Sequence, residues 1–173
     1  MITPLGNIPG YSVGAMPVVV VGQAQVNQVD SSIQLQADAI DAYFKAHDMP
    51  LLGTGMKMVE EANNNDIDWR LLPAISVRES SGGKHDCSKT KNNPFGWGSC
   101  RIGFKTLDQA IETVAQNLGG NNPGTASHYD NKTTKQILHS YNPPSIVPRY
   151  AEQVISIMND IGPEDLGSIK AVS

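Results

Sequence analysis

The segment "TLDQAIETVAQNLGG", residues 106–120, carries the marks of a helix at both ends and along its length. Thr106 and Gln109 stand at capping-box spacing. Leu107, Ala110, Ile111, Val114, Ala115 and Leu118 recur at i, i+3 and i+4, and Gly119 ends the run. Two later segments follow the same pattern. "TTKQILHSY" opens with Thr133 and Gln136 as a capping pair. "PRYAEQVISIMNDIGP" has Pro148 at its head, a stripe through Ala151, Val154, Met158 and Ile161, and Gly162–Pro163 as terminator. Upstream, "IQLQADAIDAYFKAHD" brings Leu35, Ala39, Ala42 and Tyr43 near one face and stops at Pro50. A second helix is expected from about Gly55 to Asn65 with Thr54 as its cap, and a third from near Asp68. The chain is therefore expected to be mainly α. No internal repeat suggests a solenoid.

Residues 1–32 are rich in Gly, Pro, Val, Gln, Asn and Ser without helical period, so they read as a tail or linker. The domain is expected over 33–162, followed by a loose tail at 163–173, "PEDLGSIKAVS". A chain of 173 residues with 39% hydrophobic content suffices for one core, and 16 Gly with 11 Pro imply many loops. A net charge of −4 argues against a general nucleic-acid or anionic-membrane binder. The longest apolar run, "AMPVVVVG", is too short for a bilayer span and contains Pro17, so no integral membrane segment is expected. No Lys or Arg precedes Lys45, so no convincing signal peptide is read here. Export by another route or virion packaging stays open.

In "LLPAISVRESSGGKH" one glutamate ends an apolar run. At 100° per residue, Leu72, Ile75, Ser76 and Glu79 share a side of the third helix, with Glu79 within about 20° of Leu72. Burial on that side and the negative end of the helix dipole both disfavour the carboxylate's charge, which suits a general acid. The alternative is a glutamate paired with Arg78, Arg101 or a backbone group. Pro73 threatens a kink, which would put only Leu72's place in this facing argument in doubt.

Between Ser80 and Lys105 five cations, Lys84, Lys89, Lys91, Arg101 and Lys105, face one acid, Asp86. This basic lobe in an acidic protein either attracts an anionic substrate or is a solvated loop. Within it "NNPFGWGSC" sets Phe95 and Trp97 between glycines, suited to lining a groove where rings stack on sugar faces. Both could instead cap the core, which fits Phe95 better. Cys87 and Cys100, thirteen positions apart, could form a disulfide worth roughly 3 kcal/mol, which would suit an extracytoplasmic protein. Zinc on these cysteines and His85 is the alternative, without the usual CxxC or HxxxH spacing. A cysteine nucleophile would have only His85 as a nearby base.

Taken in order, "IDWRLLPAISVRESSGG", "NNPFGWGSC", "FKTLDQAIETVAQNLGG" and "YNPPSIVPRYAEQV" resemble the bacterial glucosaminidase domains of glycoside hydrolase family 73, in the lysozyme-like superfamily. The resemblance spans roughly residues 38–161. It implies a lysozyme-like helical domain with a short loop-rich lobe and a cleft, cleaving β-1,4 bonds of the peptidoglycan glycan strand. Glu79 matches the family's catalytic acid. Tyr141 matches a cleft tyrosine that stabilises the transition state or positions water. Tyr150 matches a second recurrent tyrosine of mainly structural role, and "NPFG", Asn93 to Gly96, a turn that shapes the cleft floor. Ser80, Asn93, Phe95, Gly96, Trp97 and Tyr150 are accordingly expected on the substrate side. No cofactor or metal is implied, and a monomer outside the cell, at the cell wall or on a phage particle is expected. The family label also names mannosyl-glycoproteins, but no residue here selects a mannose-rich glycan.

The second acid is where the chain departs from the family. A two-carboxylate hydrolase needs it roughly 6.5–9.5 Å away for inversion, or about 5 Å for a covalent intermediate. The stretch after Glu79 offers only Asp86, while Asp108 and Glu112 lie off the apolar stripe of their helix. Three routes stay open: Asp86 serves, the substrate's acetamido group participates, or the reaction is a lytic transglycosylation with one carboxyl. "YN" in "SYNPP" also occurs in transglycosylases. A non-catalytic wall-binding or virion-associated module is the reading of another class.

Overall fold

In the computed structural model, which describes residues 21–168 with side chains from Ser31 onward, the chain forms helices and, among the described residues, no strand. In chain order they are α1 (Val21–Ala46), α2 (Gly55–Asn64), α3 (Leu71–Ser80), α4 (Leu107–Leu118), α5 (Ala126–Tyr129), α6 (Thr134–Tyr141) and α7 (Tyr150–Ile161). The mainly α expectation holds. At the start of α6 the reciprocal capping box between Thr133 and Gln136 is complete. At the start of α4 Thr106 accepts the Gln109 N–H, but the Gln109 side chain turns to the Lys105 N–H (2.8 Å), one residue earlier than the motif expects.

Helix α3 is the axle of the fold. Every residue from Leu71 to Ser76 is buried, because α3 runs against α7, α2 and α4 at once. A helix so enclosed must be apolar all round, and each fully buried large side chain contributes about 1.5–3 kcal/mol. It begins at Leu71, three residues later than expected. Asp68 ends the preceding turn, its carboxylate taking the Arg70 N–H (2.9 Å) and its carbonyl the Leu71 N–H (2.9 Å). Pro73 therefore sits in the first turn, where its missing N–H removes no intrahelical bond, so it gives no reason for a kink.

Two expectations about α1 need correction. The helix begins at Val21, ahead of the composition change at Ile33, since extending a packed helix outward costs far less than nucleating one. Its buried face is Ala37, Ile40 and Phe44, with Ile33 partly covered. Of the residues expected near one face, Leu35 is 51% exposed and Ala42 is exposed as well, while Ala39 and Tyr43 are partly buried against the core. Ile40 and Phe44 together have more apolar area to remove from water than Leu35, so they set the inward face and Ala37 follows them.

Thr54 stands at the N-cap of α2, yet its hydroxyl donates back to the Leu51 carbonyl (2.7 Å). Asp41 of α1 does the capping instead, accepting the N–H groups of Gly53 (2.9 Å) and Gly55 (3.1 Å). Gly119 ends α4 for a tertiary reason: a Cβ there would lie 2.2 Å from the Asn65 carbonyl oxygen, where the end of α2 crosses. Only glycine permits that approach.

The expected loose tail is docked over residues 163–168. Trp69 Nε1 donates to the Glu164 carbonyl (3.2 Å) and Gln36 Nε2 to that of Leu166 (3.0 Å). Arg70, already paired with Asp68 (2.6 Å), also reaches Glu164 (3.4 Å), while Leu166 packs on the core. The polar look of this segment hid one apolar side chain and two carbonyls that seal the Trp69 end of the core. Residues 1–20 and 169–173, part of both expected tails, lie outside the described residues.

Candidate functional site

The loop after α3 is organised by groups that sequence reasoning had placed on the substrate side. Asn93 is fully buried. Its Nδ2 donates to the Trp97 and Ile102 carbonyls (both 2.9 Å), and its Oδ1 accepts the Trp97 N–H (2.9 Å). Ser80, also buried, donates to the Pro94 carbonyl (2.7 Å) and accepts the Gly83 N–H (2.9 Å), fastening the loop to the end of α3. Phe95 is 0% exposed and belongs to the core. These three build the wall of a site rather than face a ligand. A buried amide or hydroxyl must satisfy its own hydrogen bonds, and here the loop backbone consumes them.

Asp86 has a similar fate. One of its oxygens accepts the Cys87 N–H (2.7 Å) and the other the Asn93 N–H (3.2 Å). It does not line the cleft described below, so the structure does not bring it to Glu79 as a second acid. Asp108 and Glu112 are exposed on α4, as their spacing implied. Cys87 and Cys100 form the expected disulfide, with Cα atoms 5.5 Å apart, which removes the zinc and thiol-nucleophile alternatives. Among the described residues no three His, Cys, Asp or Glu side chains converge as a metal site would require.

Glu79 lies in the wall of a cleft of about 630 Å³, inside the roughly 300–1,000 Å³ range of ligand pockets. It is half-buried. Tyr150, 2% exposed, donates its hydroxyl to Oε1 at 2.6 Å. Oε2 accepts none of the hydrogen bonds found among the described residues, and it faces Gly96 so closely that a Cβ there would sit 3.0 Å away. Gly96 has φ +64°, so the absence of a side chain serves both the turn and the carboxylate. The alternative, a pairing of Glu79 with Arg78 or Arg101, is not formed among the described residues. Arg78 lies over the Tyr150 ring at 5.6 Å and donates to Gln153 (2.8 Å), and Arg101 is exposed.

Aromatic rings line the rest. Tyr141 stacks on Tyr150 (6.0 Å, 11° between planes) and donates its hydroxyl to the Phe95 carbonyl, so its oxygen is held at the cleft floor. Trp97, half-buried, lies 5.7 Å from Tyr141 and 6.4 Å from Tyr129. Of the expected site residues, Glu79, Gly96, Trp97 and Tyr141 meet in the cleft; Tyr150 stands behind Glu79 and orients it. Thr125, His128, Tyr129, Ser140, Asn142 and Ile146 also line the cleft and carry no signal of their own that the sequence offered as a site. Ser140 and Asn142 flank Tyr141 in "SYNPP" and were within reach of that motif. Tyr129 comes from α5, a single turn in a Gly- and Asn-rich stretch with no periodic signal.

Burial drives the hydroxyls of Tyr141 and Tyr150 well above the usual tyrosine range. The nearby Glu79 charge and, for Tyr150, Tyr141 itself push the same way. Burial alone raises Tyr129. The native state thus holds these protons more tightly than the unfolded chain, whose tyrosines ionise near pH 10. Stability is unaffected by them below that pH and falls as pH rises beyond it, by about 1.4 kcal/mol per pH unit for each tyrosine kept neutral. In an alkaline titration the tyrosinate absorbance of these three rings should appear together with loss of helical circular dichroism. Ionisation of all of them in the folded protein near pH 10 would contradict the enclosed arrangement.

The site therefore offers one carboxylate with one oxygen anchored and the other free, set among rings that present flat apolar faces. Such a site can pass a proton to an atom of a flat-faced, hydroxyl-rich ligand. In comparisons with known proteins, the chain matches no family model and no curated protein sequence.

Proposed function

We propose that the chain cleaves β-1,4 glycosidic bonds of a GlcNAc–MurNAc strand, with Glu79 as the proton donor. The observation that carries this reading is a single carboxylate, held by Tyr150, in an aromatic-walled cleft. Trp97, Tyr129 and Tyr141 stack against sugar faces, and the proton on Oε2 of Glu79 passes to the leaving glycosidic oxygen. As the C1–O bond breaks, positive charge develops at C1 and the aglycone departs as an alcohol.

How that charge is quenched divides two outcomes. In hydrolysis without a second carboxylate, the substrate's own acetamido oxygen closes on C1. Water, giving its proton to the Glu79 carboxylate, then opens the ring to a GlcNAc reducing end. In lytic transglycosylation the 6-hydroxyl of a MurNAc unit attacks C1, loses its proton to Glu79 and leaves a 1,6-anhydro sugar. Both routes use one carboxylate, in keeping with both oxygens of Asp86 being engaged by the loop backbone and Glu79 being the single carboxylate in the cleft lining among the described residues. The disulfide supports a working place outside the cytoplasm, at the cell wall or on a phage particle.

Incubating the protein with purified peptidoglycan and analysing the released ends separates the readings. GlcNAc reducing ends indicate a glucosaminidase, and 1,6-anhydro ends a transglycosylase. Retention on peptidoglycan with no new ends would overturn catalysis and leave a wall-binding or virion-associated module.

A further inference from the structure

The loop between Ser81 and Lys105 folds back on itself, which brings the backbone segments that carry four of its cations together, while the fifth, Lys84, is bonded to the His47 carbonyl (2.7 Å). Phe104 N–H donates to the Lys91 carbonyl (3.0 Å), and Asn92 Nδ2 donates to the carbonyls of Phe104 (3.0 Å) and Lys105 (3.1 Å), which sets Lys91 beside Lys105. The disulfide holds Cys100, next to Arg101, with its Cα 5.5 Å from that of Cys87, two residues before Lys89. Lys89, Lys91, Arg101 and Lys105 are all exposed. Among the described residues none of the four forms an ion pair. The lobe's one acid, Asp86, directs both oxygens at backbone N–H groups inside the loop and forms no ion pair with any of the four. Four unneutralised cations in a chain of net charge −4 make a strongly dipolar molecule. The same loop supplies Gly98 and Ser99 to the cleft wall, with Arg101 two residues further on, so the lobe adjoins the cleft rim.

We infer that this lobe is a docking surface for an anionic glycan, gripping carboxylate-bearing substituents of a strand whose uncharged sugar backbone enters the cleft. The inference rests on the glycan reading of the cleft. Charge complementarity selects the partner. The cleft lining holds one carboxylate and the His128 imidazole among aromatic, small polar and aliphatic groups, and the one ammonium at its edge, Lys132, is spent on the Ser140 hydroxyl (3.0 Å) and the His128 carbonyl, whereas the lobe carries four exposed cations that form no ion pair among the described residues. A long nucleic acid is disfavoured, because the rest of the surface carries the chain's excess of acids and would repel a polyanion that extended past the lobe.

The test is co-sedimentation of the full chain, carrying Glu79→Gln to prevent digestion, with peptidoglycan stripped of phosphate polymers, with unstripped walls and with chitin as the neutral glycan. Retention on stripped peptidoglycan should fall at least about tenfold as NaCl rises from about 0.05 M to about 1 M, where the screening length shrinks to roughly 3 Å. Retention on chitin should not change. The triple reversal Lys89→Glu, Lys91→Glu, Arg101→Glu should reproduce the loss at low salt, and the salt titration stands without it if that variant fails to fold. Salt-independent retention overturns the inference. So does salt-dependent retention on unstripped walls alone, which would identify phosphate polymers as the ligand, or equal capture of single-stranded DNA. Assays for released ends on the unaltered chain keep the two readings apart. Salt-dependent docking without new ends leaves the lobe standing and removes the catalytic reading, while new ends without salt-dependent docking do the reverse.

Discussion

Replacing Glu79 by glutamine should lower release of glycan ends from peptidoglycan at least about a hundredfold, the lower end of what a positioned proton donor contributes. The substitution is well suited to the geometry. Its amide oxygen can still accept the Tyr150 hydroxyl that holds Oε1 at 2.6 Å, so the side chain keeps its place while the transferable proton is lost. Thermal unfolding should show a midpoint equal to or above that of the unaltered protein, since an ionisable group is removed from a half-buried position in an apolar helix. Undiminished release by Glu79→Gln would refute Glu79 as the acid. A large drop in the midpoint would mean that the carboxylate is structural, and loss of activity would then carry no mechanistic information.

Replacing Phe95 by alanine should cost about 3–5 kcal/mol of folding stability, measured as a shift of the urea midpoint at constant slope. The ring is 0% exposed in the core cluster, so truncation removes its buried area and leaves a cavity behind the lobe. The main-chain carbonyl that accepts the Tyr141 hydroxyl remains, so any fall in activity follows from loosened packing rather than a lost ligand contact. Trp97→Ala makes the complementary case. Two residues along the same loop and half-buried in the cleft wall, it should lose less stability and more glycan retention. A Phe95→Ala variant of unchanged stability that failed to retain glycan would return Phe95 to the substrate side.

The contrast between these two aromatics shows how much of the site was legible. "NPFGWG" marks a tight turn with two rings, and glycine content predicts the turn, but which ring turns inward depends on the buried Asn93 amide. By bonding the Trp97 and Ile102 carbonyls and the Trp97 N–H, that side chain fixes the rotation of the loop. Which groups a buried amide reaches, four and nine residues along an irregular loop, leaves no trace in helical or strand spacing. For the same reason Ser80, Asn93 and Asp86 looked like groups waiting for a substrate, although their hydrogen bonds are spent on holding the loop. Tyr129 was missed from the opposite direction, as a ring brought to the cleft by a single helical turn that has no period to detect.

Helical order was written locally. Apolar spacing, capping residues and Gly–Pro stops act within a few residues, so the existence of α2, α3, α4, α6 and α7 and the placing of Glu79 near the end of an apolar helix followed from the sequence alone. Tertiary packing decided the rest: which face of α1 turned inward, why Gly119 must be glycine, that residues 163–168 dock, and that Asp86 serves the loop. The first three depend on partners many residues away, and the last on the fold of the disulfide loop, which brings the Asn93 N–H back to Asp86. Their energies arise from area buried and hydrogen bonds closed between distant segments, quantities that no short window of sequence contains.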